Sequence, residues 1–243
     1  MVRKRIIPCL LLQNKSLVKT IRFKKPNYIG DAINTVRIFN ELEVDELILL
    51  DITLTSSVSE PDYQLLKDIA SECFMPLAYG GGISSVKQAK KIIEIGYEKI
   101  IVNSTAYRDR HLITQIAEEL GNQCVIGAID VKKNIFGKYL TCSNSGKQKE
   151  HKNPFEWAKE LESLGAGEIM VTSINQEGTW KGFDLNLIKK IVESVNVPII
   201  GHGGAGSLDH INKLFNLGTN AAAVGSMVVY QKKGMGVLIN FPI

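Results

Sequence analysis

Two glycine-rich segments half a chain apart constrain this sequence more than anything else in it. Gly80-Gly-Gly-Ile-Ser-Ser-Val86 aligns with His202-Gly-Gly-Ala-Gly-Ser-Leu208 at an offset of 122 positions in a chain of 243 residues. Carried forward without a gap, the offset pairs Gly96 with Gly218, Val102 with Val224 and Ser104 with Ser226. Carried backward, it pairs Glu46 with Glu168. A repeat of this kind marks a fold built from two similar halves.

Each half alternates short apolar runs with segments of helical period. The runs are Arg5–Leu10, Glu46–Asp51, Pro76–Tyr79, Lys99–Asn103, Cys124–Asp130, Glu168–Thr172, Val197–Ile200 and Asn220–Gly225. Between them, apolar residues fall three and four apart, as in Leu65, Leu66, Ile69, Ala70 and Cys73, or Leu185, Ile188, Ile191 and Val192. Asn153 before Pro154, and Ser84 and Ser207 just after glycines, mark helix starts. Eight runs with intervening helices predict one domain spanning residues 1–243, a (β/α)8 barrel with half-barrel duplication. An open doubly wound sheet is the alternative that periodicity alone leaves standing.

Composition narrows the function classes. The chain is 44% hydrophobic and 22% charged with a formal net charge of +4, which excludes a disordered or fibrous class. The scattered basic residues form no nucleic-acid or membrane footprint. Cys9, Cys73, Cys124 and Cys142 are far apart with no CxxC pair, and His111, His151, His202 and His210 form no ligand pattern. Neither a metal nor another cofactor is expected. The apolar run Ile6 to Leu12 is brief and interrupted by Pro8, so no signal peptide or membrane span is read and a cytoplasmic address is expected.

The repeated glycines follow the third and seventh strands and lead into helices, where backbone N–H groups can approach and hold an anion. The next strand of each half ends in a small polar pair, Asn103-Ser104 and Gly225-Ser226. Two phosphates, one at each side of the barrel mouth, are the predicted cargo, against the plainer reading that these glycines only make tight turns. Asp130 ends an otherwise apolar strand and so faces the mouth, where a general acid or base belongs. A structural aspartate binding a backbone amide is the alternative there. At Asp51, a similar strand end, capping, positioning and chemistry all stay open.

The stretches Lys4-Arg-Ile-Ile-Pro-Cys-Leu10, Asp45-Glu-Leu-Ile-Leu-Leu-Asp51, Tyr79-Gly-Gly-Gly-Ile83, Ala128-Ile-Asp130, Gly165-Ala-Gly-Glu-Ile169, Thr172-Ser-Ile174 and Gly203-Gly-Ala-Gly206 resemble the cyclase subunit of imidazole glycerol phosphate synthase, HisF, from residue 2 to about residue 229. The resemblance implies a bisphosphate substrate and ammonia delivered through the barrel by a HisH-like glutaminase at its N-terminal face. It places one phosphate at Gly82, Asn103 and Ser104 and the other at Gly178, Gly204, Gly225 and Ser226. Asp130 matches one of two catalytic aspartates, and Lys19, on the long loop after the first strand, matches a lysine of an active-site loop. Arg5, Glu46, Lys99 and Glu168, each at the start of a strand, match the ring of charges that gates ammonia. Ordinary ion pairing at the barrel bottom is the plainer reading of those four.

One departure matters most. The family's other catalytic aspartate follows Pro-Cys-Leu, and here that position is Leu11, which can exchange no proton. Glu177 stands where the family usually has aspartate. His202 replaces a small residue, either as a substrate contact or packed at a loop start. The leucine and the ending Leu238-Ile-Asn-Phe-Pro242 look like HisF-type proteins associated with amidation of bacterial surface sugars, where ammonia passes to a separate sugar amidotransferase. Three readings follow: an ammonia-conducting subunit for sugar amidation, a genuine cyclase of histidine biosynthesis, or a non-catalytic phosphate-binding scaffold that activates the glutaminase.

Overall fold

A computed structural model describes residues 3–54 and 60–242; residues 1–2, 55–59 and 243 lie outside the description. The first half runs β1 (Arg5–Gln13), β2 (Ser16–Ile21), β3 (Lys24–Asp31), α1 (Ala32–Glu41), β4 (Leu47–Asp51), α2 (Tyr63–Ser71), β5 (Leu77–Gly80), α3 (Val86–Ile95), β6 (Lys99–Val102), α4 (Ser104–Arg108) and α5 (His111–Leu120). The second runs β7 (Val125–Lys133), β8 (Tyr139–Ser143), β9 (Gln148–Lys149), α6 (Pro154–Ser163), β10 (Glu168–Ser173), α7 (Leu185–Val192), β11 (Ile199–His202), α8 (Leu208–Phe215), β12 (Ala221–Val224) and α9 (Ser226–Val229).

Strands β1, β4, β5, β6, β7, β10, β11 and β12 pair in parallel in that order, and β12 pairs back onto β1. The barrel is therefore closed, and each predicted apolar run supplies one of its strands. Closure also removes the exposed edges that an open sheet would leave.

Alternation along the strands sorts the core into two shells. Inside the barrel, Ile7, Cys9, Ile48, Ile101, Ile126 and Met170 form one buried cluster with Ala78, Ala128, Ala221 and Ala223. Outside it, Leu10, Leu47, Leu49, Ile129, Ile169 and Val171 pack against the helices, which contribute Phe39, Ile69, Ile92, Ile116, Trp157 and Ile188. Truncating one of these buried leucines or isoleucines to alanine typically costs about 2–5 kcal/mol.

Helix starts follow local chemistry. Side-chain oxygens of Asp31, Asp62, Ser85, Asn153, Asp184 and Ser207 accept from the amides of their own first turns, each worth about 1 kcal/mol. The cap after the first glycine cluster is Ser85, not Ser84 as expected; the Ser84 amide donates instead to Gln88 Oε1 at 2.8 Å. Ser85 and Ser207 are the pair that the half-chain offset relates.

The structure adds two elements that apolar runs did not announce. β1 continues into the antiparallel β2–β3 hairpin, and β7 into β8 and β9. The segment carrying Lys19 is thus a strand of a hairpin rather than a loop. Each half bears its hairpin after its first strand, so the duplication extends to the insertions. Among the described residues, no helix is long and apolar enough to cross a membrane.

Candidate active site

The C-terminal ends of the strands surround a cavity of about 580 Å3. Leu11, Leu50, Ile101, Ala128 and Met170 give it an apolar base, and Asp130, Asn103, Ser104, Thr172, His202 and the glycines 80–82 line its polar side. Phe23, from the tip of the β2–β3 hairpin, and Asn144 and Ser145, from the β8–β9 turn, border it above.

Asp130, on β7, lines the cavity. Asn103 Nδ2 donates to its Oδ2 at 2.8 Å, and Thr172 stands beside it in strand register. Burial pushes its carboxyl up to about 7, against the opposing effect of the Thr172 and Asn103 hydrogen bonds. A carboxyl that titrates near neutrality can both take and give a proton. Its hydrogen-bonding partners among the described residues are the side chains of Asn103 and Thr172.

Leu11 is 6% exposed and stands in register with Leu50. The offset that relates Leu50 to Thr172 makes Leu11 the counterpart of Asp130, so at these equivalent positions one half has a carboxyl and the other a leucine.

The first glycine-rich segment, which with Asn103 and Ser104 forms the first candidate phosphate cradle, opens into the cavity. Gly81 (φ +137°) and Gly82 (φ +65°) take backbone conformations that disfavour side chains, and a Cβ on Gly81 would lie 2.4 Å from the Asp51 carbonyl oxygen. Asp51 is thereby part of the turn that shapes this cradle. Its Oδ1 accepts from the Thr53 amide at 2.8 Å, and burial raises its pKa. Ser104 lines the opposite wall, its Oγ accepting from the Asn144 amide at 2.9 Å.

The second cradle is built from the related residues but is nearly closed. Gly178, Gly204, Gly225 and Ser226 leave about 10 Å3 among themselves, Lys19 and Glu177. Lys19 Nζ pairs with Glu177 Oε1 at 2.7 Å, and both side chains are buried. Burial alone would raise the Glu177 pKa; Lys19 and the Phe23 amide outweigh it and hold it below the ordinary carboxylate value. His202 lies between the two cradles and borders both. Its Nδ1 is 3.1 Å from Thr172 Oγ1, and burial, with Lys19 nearby, lowers its pKa to about 4, so the ring is neutral near pH 7.

At the opposite end of the barrel, Arg5, Glu46, Lys99 and Glu168 form a closed ring. Arg5 reaches Glu46 at 2.5 Å and Glu168 at 2.8 Å; Lys99 reaches Glu46 at 2.9 Å and Glu168 at 2.7 Å. Arg5, Lys99 and Glu168 begin their strands as expected, and Glu46 stands one residue before β4. Burial would raise the Glu168 pKa, but Arg5 and Lys99 hold it below its ordinary value. Among the described residues, the inner shell inside the barrel is a cluster of apolar side chains with Cys9, whose thiol burial pushes up to about 12. The barrel axis thus carries a neutral ring, an uncharged column and an open cavity in sequence.

Sequence reading missed Thr172 as the link between Asp130 and His202, and the pairing of Lys19 with Glu177. The first was detectable, because Thr172 ends the strand next to the one that carries Asp130 and stands in register with it. The second had no local signal, since its partners are 158 residues apart.

A family model described as histidine biosynthesis protein matches residues 5–234. A Pseudomonas aeruginosa protein, provisionally named imidazole glycerol phosphate synthase subunit hisF2, is 47% identical over 243 residues, covering 100% of this chain and 97% of that protein. A Vibrio vulnificus protein, provisionally named subunit hisF3, is 45% identical over 244 residues, with 100% and 94% covered. The imidazole glycerol phosphate synthase subunit HisF of Saccharolobus solfataricus is 37% identical over 231 residues, with 95% and 92% covered.

Proposed function

Because this chain belongs to the HisF family of imidazole glycerol phosphate synthase subunits, we propose that its barrel receives ammonia from a HisH-like glutaminase and passes it onward. The onward step serves amidation of a surface sugar by a separate amidotransferase. The observation that carries this reading is the contrast between the two ends of the barrel. The four-membered charge ring is complete, whereas the mouth has Leu11 where a second proton-transfer group would stand opposite Asp130.

The residues fit such a conduit. The glutaminase docks on the N-terminal face, over Arg5, Glu46, Lys99 and Glu168, whose charges cancel and admit a small neutral molecule when one pair parts. The apolar column beyond them excludes ammonium, because an ion there would lose its hydration without a counter-charge. The cavity holds a phosphorylated ligand, with a phosphate at Gly82, Asn103 and Ser104; Gly178, Gly204, Gly225 and Ser226 form the inherited second position.

The experiment is to supply the purified protein and its glutaminase with glutamine and the bisphosphate intermediate of the histidine pathway. No appreciable imidazole product is expected, although glutamine is hydrolysed. Turnover near that of a Leu11→Asp variant would overturn the reading.

A second reading, a working cyclase, is favoured by Asp130 alone, whose elevated pKa suits it to act as both acid and base. It predicts growth of a histidine auxotroph lacking the cyclase, and loss of that growth with Asp130→Asn. The scaffold reading has no such observation in its favour.

A further inference from the structure

The two cradles are related by the half-chain repeat, yet they differ in what fills them. The first opens into a cavity of about 580 Å3, whereas about 10 Å3 remains in the second, space for a single water. What occupies the second is the chain's own Lys19. A Cβ on Gly225 would lie 2.9 Å from Lys19 Nζ and 2.7 Å from its Cε, so the ammonium sits against the glycine that would face an anion.

Lys19 is held there from several directions. Its Nζ pairs with Glu177 Oε1 at 2.7 Å. Glu177 Oε2 accepts from the Phe23 amide at 3.1 Å, and the Glu177 carbonyl accepts from the Arg22 amide at 3.0 Å. Gly178 packs so closely under the hairpin that a Cβ there would lie 2.4 Å from the Thr20 carbonyl oxygen. The β2–β3 hairpin is therefore fastened to the segment after β10 by one buried ion pair, two backbone-donated hydrogen bonds and a third hydrogen bond from Arg22 Nε to the Asn175 carbonyl at 3.1 Å.

We propose that the resting protein accepts a ligand bearing one phosphate, held at the first cradle, while the Lys19–Glu177 pair keeps a second phosphate out. This deepens the proposed function, and it rests on reading the first cradle as a phosphate site. A phosphate is larger than the water-sized space left at the second, and it would meet the Glu177 carboxylate at close range. The open cavity favours the same class of ligand. Asp51, Glu60, Asp130 and Glu150 line it with Arg108, a setting for one anionic group at the cradle and a neutral or cationic remainder. A phosphomonoester of a sugar or nucleoside has that character; a bisphosphate must first lift the hairpin and part Lys19 from Glu177.

Equilibrium dialysis of the full chain against radiolabelled inorganic phosphate tests this. Wild type should retain one equivalent, which Ser104→Asp abolishes. Glu177→Gln should take up two equivalents, because the freed ammonium can turn to the anion. The Lys19→Ala/Glu177→Gln double variant leaves no unpaired buried charge and vacates the cradle, and it should also take up two. Two equivalents in wild type, or one in both variants with native near-ultraviolet circular dichroism, would overturn the proposal while leaving the phosphate reading intact. No retention by wild type would overturn both.

Discussion

Leu11 and Asp130 hold the same place in the two halves of the barrel: Leu11 stands in register with Leu50 as Asp130 does with Thr172, and Leu50 and Thr172 are one repeat apart. At this position one half therefore presents a carboxyl to the cavity and the other a methyl-bearing side chain. Acid–base assistance is typically worth about 10²- to 10⁴-fold in rate. Leu11→Asp should raise ammonia-dependent turnover of the bisphosphate intermediate by up to about that factor, measured by release of the imidazole product. Equal rates in wild type and variant would show that the second carboxyl is dispensable here.

Asp130 makes the fold pay a pH-dependent cost. Its folded-state pKa, about 7, lies above its unfolded value, so the native state binds the extra proton and stability falls as pH rises from about 4 to about 7. The loss levels off above pH 7, at an upper limit on the order of 3–4 kcal/mol by linkage. Asp130→Asn removes this dependence. Its Tm should exceed that of wild type at pH 8 and the two should converge near pH 4 in thermal unfolding scans.

Lys99 contacts both acids of the ring, at 2.9 and 2.7 Å. Lys99→Met leaves Glu46 and Glu168 sharing Arg5 alone, and should destabilise the protein by about 1–3 kcal/mol, discounted from the fully buried case because the ring is partly hydrated. Adding Glu46→Gln should recover part of the loss, read as a coupling in a double-mutant cycle. Because the Glu168 pKa is lowered by its partners, its contribution is present above the unfolded value near 4.3 and fades as pH falls through the folded value. Lys99→Met should therefore weaken that acid sensitivity in urea melts at pH 3 to 6.

Gly81 shapes the first cradle at φ +137°, with the Asp51 carbonyl oxygen 2.4 Å from where a Cβ would stand. Gly81→Ala should cost roughly 1–3 kcal/mol in backbone strain and displace the turn that Asp51 holds through Thr53. Phosphate retention in dialysis should fall at least tenfold in affinity. Gly96→Ala is the control: it shares a positive φ of +124° but lies away from the mouth, with Ala70 Cβ no closer than 3.6 Å. It should lose stability without changing phosphate affinity.

Much of this was legible in the chain because it depends on local properties. Strand runs, helical spacing and capping serines act over a few residues, and the 122-residue repeat announced that the fold had two equivalent halves. The ring could be expected because residues that begin parallel barrel strands face one mouth. Asp130 and the glycines could be placed because the ends of those strands face the other. The β2–β3 and β8–β9 hairpins escaped this logic: Lys24–Asp31, mostly polar and exposed, has no apolar face to give it away.

What the sequence determined by itself was the eightfold alternation of apolar runs and helices, its duplication and the ends at which the charged, glycine-rich and acidic groups would gather; the pairing of β12 with β1 decided closure. What only the tertiary structure decided was their state. Lys19 and Glu177 meet across 158 residues and fill one cradle, Thr172 joins Asp130 to a buried His202, and burial sets which of these groups keeps its charge. The reason is physical: periodicity is written into neighbouring residues, whereas desolvation and pairing depend on how distant segments are brought together by closure of the barrel.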